Sequence, residues 1–204
     1  LNSFILKDVQ KEKLYDFLRE MEFNKLLSRA IGFYGETENK KVKSAISKIN
    51  SNIINVKSYE SILNEKALDK WLNILNKQSV IAVDTETSSL NPLEADLVGV
   101  SFSYAPNKAC YIPLAHKNIK GLKKEVVLKK IKPILEDPSI KKVGQNIKFD
   151  FIIFKQNNIE INPIEDTMLI SYTLDAGNNK HNLDTLSEIH LNHKTISYKD
   201  LIGA

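Results

Sequence analysis

The sequence predicts an α/β fold, a mixed sheet with helices on its faces, on three observations. An apolar run, "SVIAVD", follows an amphipathic helical stretch. Two further strand-like runs, "LVGVSFSY" and "ACYIPLAH", are joined only by the turn signal "APNK", which makes them an antiparallel hairpin. A short strand pattern, "KKVGQN", then runs directly into the helical "KFDFIIFKQ". Hairpin pairing beside a strand–helix alternation calls for a sheet of mixed direction covered by helices.

In chain order, residues 8–31 read as one amphipathic helix, with Val9, Leu14, Phe17, Leu18, Met21, Leu26 and Leu27 on its apolar face, Asp8 as N-cap, and Gly32 and Gly35 ending it. Residues 32–55, rich in Lys, Asn and Ser, read as a flexible linker. The compact domain begins near Val56. Glu65–Asn76 is a helix with Leu68, Trp71, Leu72 and Leu75 inward, and Trp71 is assigned to the core. "SVIAVD" reads as a strand buried on both faces. After the hairpin, Lys123–Asp137 and Lys148–Gln156 are helices on either side of the "KKVGQN" strand. "IEINPIED" leads straight into the helix "TMLISYTLDA", with Asp166 as its N-cap, and Leu183–His190 is a last short helix.

Composition narrows the function classes. Apolar residues make up 42% and charged residues 26%, the balance of a soluble globular protein. No apolar run is long enough to span a membrane, so none is expected as a partner. The start has neither a signal peptide nor an initiator Met, which suggests a piece of a longer protein. Cys110 is alone, so no internal disulfide forms and a reducing cytoplasm fits. A net charge of +4 permits a polyanionic partner without requiring one. No G-x-G-x-x-G or P-loop pattern is present. His116, His181, His190 and His193 do not have the spacing of a metal site and read as structural or solvent-facing.

The chemistry concentrates in "AVDTETSSL". Asp84 and Glu86 are two residues apart on a strand, so both side chains point to one face, roughly 7 Å apart. They are either a solvated strand end, with Thr85 and Thr87 capping the turn, or half of a metal site. Asp150, early in an otherwise apolar helix, is a costly acid unless it is paired or bound to a cation. Lys148 is one available partner. If the "KKVGQN" strand lies beside "SVIAVD", the three carboxylates converge, and such a set suits Mg²⁺ or Mn²⁺.

The segments "DTETSSL", "LVGVSFSY", "YIPLAH", "KVGQNIKFD", "DTMLISYTL" and "HNLDTLSEIHLNHKTISYKDLIGA", in that order, resemble the 3′–5′ exonuclease (proofreading) domain of family A DNA polymerases, those of the bacterial DNA polymerase I type. "KEKLYDFLREMEFNKLLSRA" resembles the end of the 5′-nuclease region that precedes it. The resemblance implies a ribonuclease H-like fold, with residues 1–31 as the tail of that nuclease region, 32–55 as the linker and 56–204 as the exonuclease domain. It implies two-metal hydrolysis of the 3′-terminal phosphodiester of single-stranded or frayed DNA, with Asp84, Glu86 and Asp150 as catalytic residues and ligands of Mg²⁺ or Mn²⁺. Thr87, Leu90, Gln145, Asn146, Phe149 and Tyr198 match substrate-side positions. On the residues alone, Leu90 is a loop leucine, Gln145 and Asn146 satisfy a turn, and Phe149 and Tyr198 pack. The family's third motif, Tyr-x-x-x-Asp, occurs nowhere in the 204 residues, and Tyr172 with Asp175 has the wrong spacing. That motif is expected beyond Ala204, which would leave the chain a weak nuclease. The resemblance also implies a monomer, a polymerase domain in the same parent chain, and a place in the bacterial cytoplasm at the nucleoid.

Overall fold

A computed structural model describes residues 8–36, 58–177, 179–196 and 200. The chain divides into two compact units, Leu1–Ser47 and Lys48–Ala204.

In the first unit the expected single helix is two, α1 (Lys11–Glu20) and α2 (Asn24–Tyr34). The break is at Glu22, whose φ of 55° leaves the helical region, and the Phe23 amide closes the turn onto the Leu18 carbonyl at 2.8 Å. No Gly or Pro marks this break. Asp8 does not cap: Gln10 holds the N-cap position and makes no side-chain cap bond. Tyr15 and Leu18 are buried, and the Tyr15 hydroxyl donates to the Gly35 carbonyl at 2.7 Å. Gly32 lies inside α2, and Gly35, with φ 81°, ends it. Residues 37–55 of the expected linker fall outside the described residues.

Among its described residues, the second unit is a six-stranded mixed sheet with helices. Its elements are β1 (Glu60–Ser61), α3 (Glu65–Leu75), β2 (Val80–Thr87), β3 (Leu97–Ala105), β4 (Lys108–Pro113), α4 (Lys124–Leu135), β5 (Lys141–Gly144), α5 (Lys148–Gln156), β6 (Ile164–Asp166), α6 (Thr167–Leu174) and α7 (Leu183–Leu191). The strand order is β1-β4-β3-β2-β5-β6. β2, β3 and β4 pair antiparallel, while β5 runs parallel to β2, β6 parallel to β5, and β1 parallel to β4. The hairpin is as expected, and β5 lies beside β2, the condition on which convergence of the acids rests. The outer strands β1 and β6 are not among the expected strands; Ile164–Asp166 forms β6 and still leads straight into α6 at Thr167.

β2 also departs from the expected burial on both faces. Its residues alternate, with Ile81, Val83 and Thr85 buried and Val80, Ala82, Asp84 and Glu86 open. A strand's side chains change face at every residue, and this open face offers little to bury beyond a terminal Val and an Ala. The inward face continues across the sheet in register, Val83 beside Phe102 and Cys110, Thr85 beside Val100 and Ile112. It joins a core that includes Leu68, Trp71, Leu75, Val127, Ile131, Ile153 and Phe154 from the helices. Asn64 caps α3 by accepting the Ala67 amide at 2.9 Å. No helix among the described residues is long and apolar enough to cross a membrane.

Candidate active site

Asp84 and Glu86 stand together on the open face of β2, in register with Ser101 and Gly99 of β3. The strand face reaches solvent, yet protein packed around the Asp84 carboxyl displaces enough water to push its pKa up to about 6. The negative charges of Asp150 and Glu86 add to that shift. Asp84 therefore feels both other acids, and the parallel β2–β5 pairing explains why: the chain leaving β5 turns at Gln145–Ile147 and enters α5 beside the end of β2.

That turn is tightly held. A Cβ at Gly144 would come within 2.9 Å of the Ile147 side chain, so only a glycine lets the turn close this far. Asn146 adopts φ 57°, a conformation that Asn tolerates better than most residues. Asp166, 7% exposed, accepts the Asn146 amide at 3.0 Å and the Ile147 amide at 3.1 Å, and caps α6 through the Met168 amide at 2.9 Å. One carboxylate thus serves the N-cap predicted for it and also clamps the turn that aims α5.

Asp150 is 3% exposed. Burial raises its pKa, two bonds from Thr85 oppose the rise, and Asp166 adds a like charge. Its partner is not Lys148: Oδ1 accepts from the Thr85 N–H at 2.8 Å and from the Thr85 hydroxyl at 2.6 Å. Thr85 therefore caps no turn. With that carboxylate oxygen on Thr85, the three acids are neighbours without forming a single ligand shell. Among the described residues no three His, Cys, Asp or Glu side chains stand close enough to hold a metal ion. The donor chemistry nonetheless suits a hard cation, since two carboxylates on one open face repel until positive charge sits between them.

The other predicted positions are spread around this point. Thr87 donates its hydroxyl to the Ser89 carbonyl at 3.0 Å and shapes the loop that carries Leu90, which is 96% exposed. Gln145 is occupied internally: its amide donates to the His181 carbonyl at 2.7 Å, and its oxygen accepts from the Thr167 hydroxyl at 2.5 Å. Asn146 forms the turn, and Phe149 packs partly against the core. Tyr198 lies outside the described residues. His181 meets Ser171 Oγ at 2.9 Å and the edge of the Tyr172 ring.

Sequence reasoning missed Thr85, Tyr111 and His116 as parts of this neighbourhood. Tyr111 reaches across the open face over Gly99, and its hydroxyl is bonded to His116 Nε2 at 2.7 Å. Burial raises the Tyr111 pKa, and the Glu86 charge raises it further, so the ring lies within electrostatic reach of the acids. A usable signal for Thr85 was a hydroxyl at an inward position of a strand whose other inward residues are Ile and Val.

The fold recurs in solved structures of other proteins. Escherichia coli RNase D, an exoribonuclease involved in structured RNA processing, superposes with a TM-score of 0.57 at 19% identity, over 69% of this chain and 35% of that one. Brucella melitensis NrnC with bound Mg²⁺ superposes with a TM-score of 0.53 at 21% identity, over 68% of this chain and 63% of that one. These likenesses establish the ribonuclease H-like fold that the sequence resemblance implies. DNA polymerase I of Rhizobium leguminosarum is 39% identical over 167 residues, covering 72% of this chain and 16% of the relative. DNA polymerase I of Pseudomonas aeruginosa is 34% identical over 206 residues, covering 95% of this chain and 21% of the relative. The chain thus spans about a fifth or less of the length of these curated relatives. Residues 59–204 match the 3′–5′ exonuclease domain model of the DNA polymerase A family, and the chain belongs to that exonuclease family.

Proposed function

We propose that this chain acts as the proofreading 3′–5′ exonuclease domain of a DNA polymerase, hydrolysing the 3′-terminal phosphodiester of single-stranded or frayed DNA during replication and repair. The observation that carries the reading is the meeting of Asp84 and Glu86, at the end of β2, with Asp150 of α5. Asp84, Glu86 and Asp150 would supply the part of a two-ion Mg²⁺ or Mn²⁺ site that this sequence contains, enough to hold one ion. Their oxygen-only donors support this assignment, as does the raised Asp84 carboxyl, lifted first by burial and then by the charges of Asp150 and Glu86. Bound there, such ions would supply positive charge against the phosphate oxygens and ease formation of a hydroxide nucleophile.

The chain's own residues do the remaining work. Leu90, fully presented to solvent on its loop, offers an apolar edge to the terminal base, and Thr87 fixes that loop through Ser89. Gln145 and Asn146 set the entrance to α5, with Phe149 behind them, and Tyr198 is assigned to base stacking. Residues 1–31 are the tail of a preceding nuclease region, a reading supported by the Pseudomonas alignment, which covers 95% of the chain and so reaches beyond the exonuclease domain. The polymerase domain is the partner within the parent protein, which works as a monomer in the bacterial cytoplasm at the nucleoid.

Matched DNA and RNA oligonucleotides test the reading, with binding followed by anisotropy and hydrolysis by gel in Mn²⁺. Single-stranded DNA is expected to bind, more weakly as salt rises. Turnover by these 204 residues is expected to be near background, because they contain no Tyr-x-x-x-Asp motif. Tighter binding and faster trimming of the RNA would replace this reading with an RNA exonuclease. Unchanged Mn²⁺ uptake in Asp84→Ala would remove the metal assignment.

A further inference from the structure

Thr85 sits between the two acids of β2 but faces away from them, into the core, where it is 8% exposed. Its inward neighbours along and across the strands, Ile81, Val83, Val100, Phe102 and Ile112, are all apolar. Valine has the same shape and would suit that surface better, since a buried hydroxyl costs free energy unless it is bonded. Here the hydroxyl is bonded, and to one atom only: Asp150 Oδ1, at 2.6 Å. The Thr85 N–H reaches the same oxygen at 2.8 Å. That N–H belongs to the peptide unit joining Asp84 to Thr85. The third acid is therefore tied to the backbone that carries the first.

Two donors on one oxygen do more than one. A single donor leaves the carboxylate free to turn about its Cβ–Cγ bond and present either oxygen. A pair of donors from one residue, one from backbone and one from side chain, fixes the plane of the group and assigns Oδ1 to the inward side. Oδ2 takes no bond from Thr85, and it is the oxygen through which a cation would bind. Hydrogen-bond partners of metal-binding carboxylates hold their orientation, and losing one typically costs about ten- to a hundredfold in affinity.

We propose that Thr85 is a positioning residue for the acidic site, its hydroxyl holding Asp150 in the orientation from which it binds a divalent cation. The inference rests on the metal reading given under Proposed function, and the experiment separates the two. Mn²⁺ is titrated calorimetrically into the metal-free chain and into Thr85→Val, Thr85→Ser and Thr85→Ala, each checked for folding by its melt without metal. The Val variant keeps the volume and the N–H while losing the hydroxyl, and is expected to bind Mn²⁺ about tenfold more weakly. Ser, which keeps the hydroxyl, is expected to bind within about twofold of wild type, a rescue that packing alone does not give. Ala removes the hydroxyl without adding bulk and serves if Val fails to fold. Wild-type affinity in Val or Ala would overturn the inference alone, as would a loss in Ser as large as that in Val. Absence of Mn²⁺ uptake by the wild-type chain would overturn the metal reading and this inference with it.

Discussion

Tyr111 and His116 are joined at 2.7 Å over Gly99, which itself lies opposite Glu86 in the β2–β3 register. A Cβ added to Gly99 would sit 1.9 Å from the Tyr111 hydroxyl oxygen and 2.3 Å from the ring carbon that bears it. Gly99→Ala should therefore expel the ring and break its bond to His116. The expected loss is about 1 kcal/mol or somewhat more, the net worth of the hydrogen bond plus displaced packing. A double-mutant cycle with Tyr111→Ala checks the cause, because the cost of Ala at position 99 should nearly vanish once the ring is gone.

Asp84 makes metal-free stability and metal affinity respond to pH in opposite directions. Its folded pKa, about 6, lies above the ordinary 3.8. The folded chain then holds this proton more tightly than the unfolded chain. The stability so gained is complete below the unfolded value and is lost as pH rises through the folded one. Asp150, also raised, acts in the same direction. Without metal, wild type minus Asp84→Asn stability should fall between pH 4 and 7 in urea melts, while wild-type Mn²⁺ affinity rises over the same range as the proton stops competing. A flat difference would refute the assignment of this shift to Asp84.

Asp166→Ala leaves three amides, those of Asn146, Ile147 and Met168, without their acceptor. Loss of the cap and of the turn clamp together should cost about 3 kcal/mol. Asn, which keeps one acceptor oxygen, should cost less. Urea denaturation measures both, and Asp166→Ala should also weaken Mn²⁺ binding by loosening the start of α5.

Lys142 is fully buried, and its ammonium donates to the carbonyls of Asp137, Ile140 and Asn162 at 2.8, 2.6 and 2.5 Å. These bonds tie the α4–β5 loop to the segment entering β6. Lys142→Met fits the space but leaves three carbonyls with one partner fewer, and should destabilise by about 2–3 kcal/mol in urea melts. Surface lysines changed to Met should move the midpoint far less.

Burial pushes the Cys110 thiol up to about 12, and the side chain is 3% exposed. The native chain should be inert to iodoacetamide near neutral pH and react only on unfolding, so the labelling rate should track denaturant. Rapid modification of the folded protein would contradict the placement of β4 in the core.

Much of the second unit was legible because its signals are local. The α3 and α5 spans follow from apolar spacing, the β3–β4 hairpin from its turn, and the Asp166 cap from an acid preceding a helical run. The outer strands were not legible, because β1 and β6 are too short to show any alternation. The break at Glu22 lacks a Gly or Pro signal, and its non-helical φ is visible only in the structure. Within the site, Asp84 and Glu86 were readable from their spacing. The partner of Asp150 was not, since Thr85 lies 65 residues away in sequence. Gln145 shows the same limit, because its amide is held by His181 and Thr167 across chain separations that periodicity cannot report.

The strands at the two ends of the sheet have a consequence for solution behaviour. β1 contributes two residues and β6 three, so each border of the sheet presents only a few backbone donors and acceptors to another molecule. Long flat borders template strand addition and aggregation; very short ones deny an incoming chain the row of bonds needed to hold it. β3 is paired on both sides, and β2 pairs with β5 over Val80–Ala82, after which its Thr85 N–H is taken by Asp150. Among the described residues, the two outermost strands therefore offer little to an incoming strand.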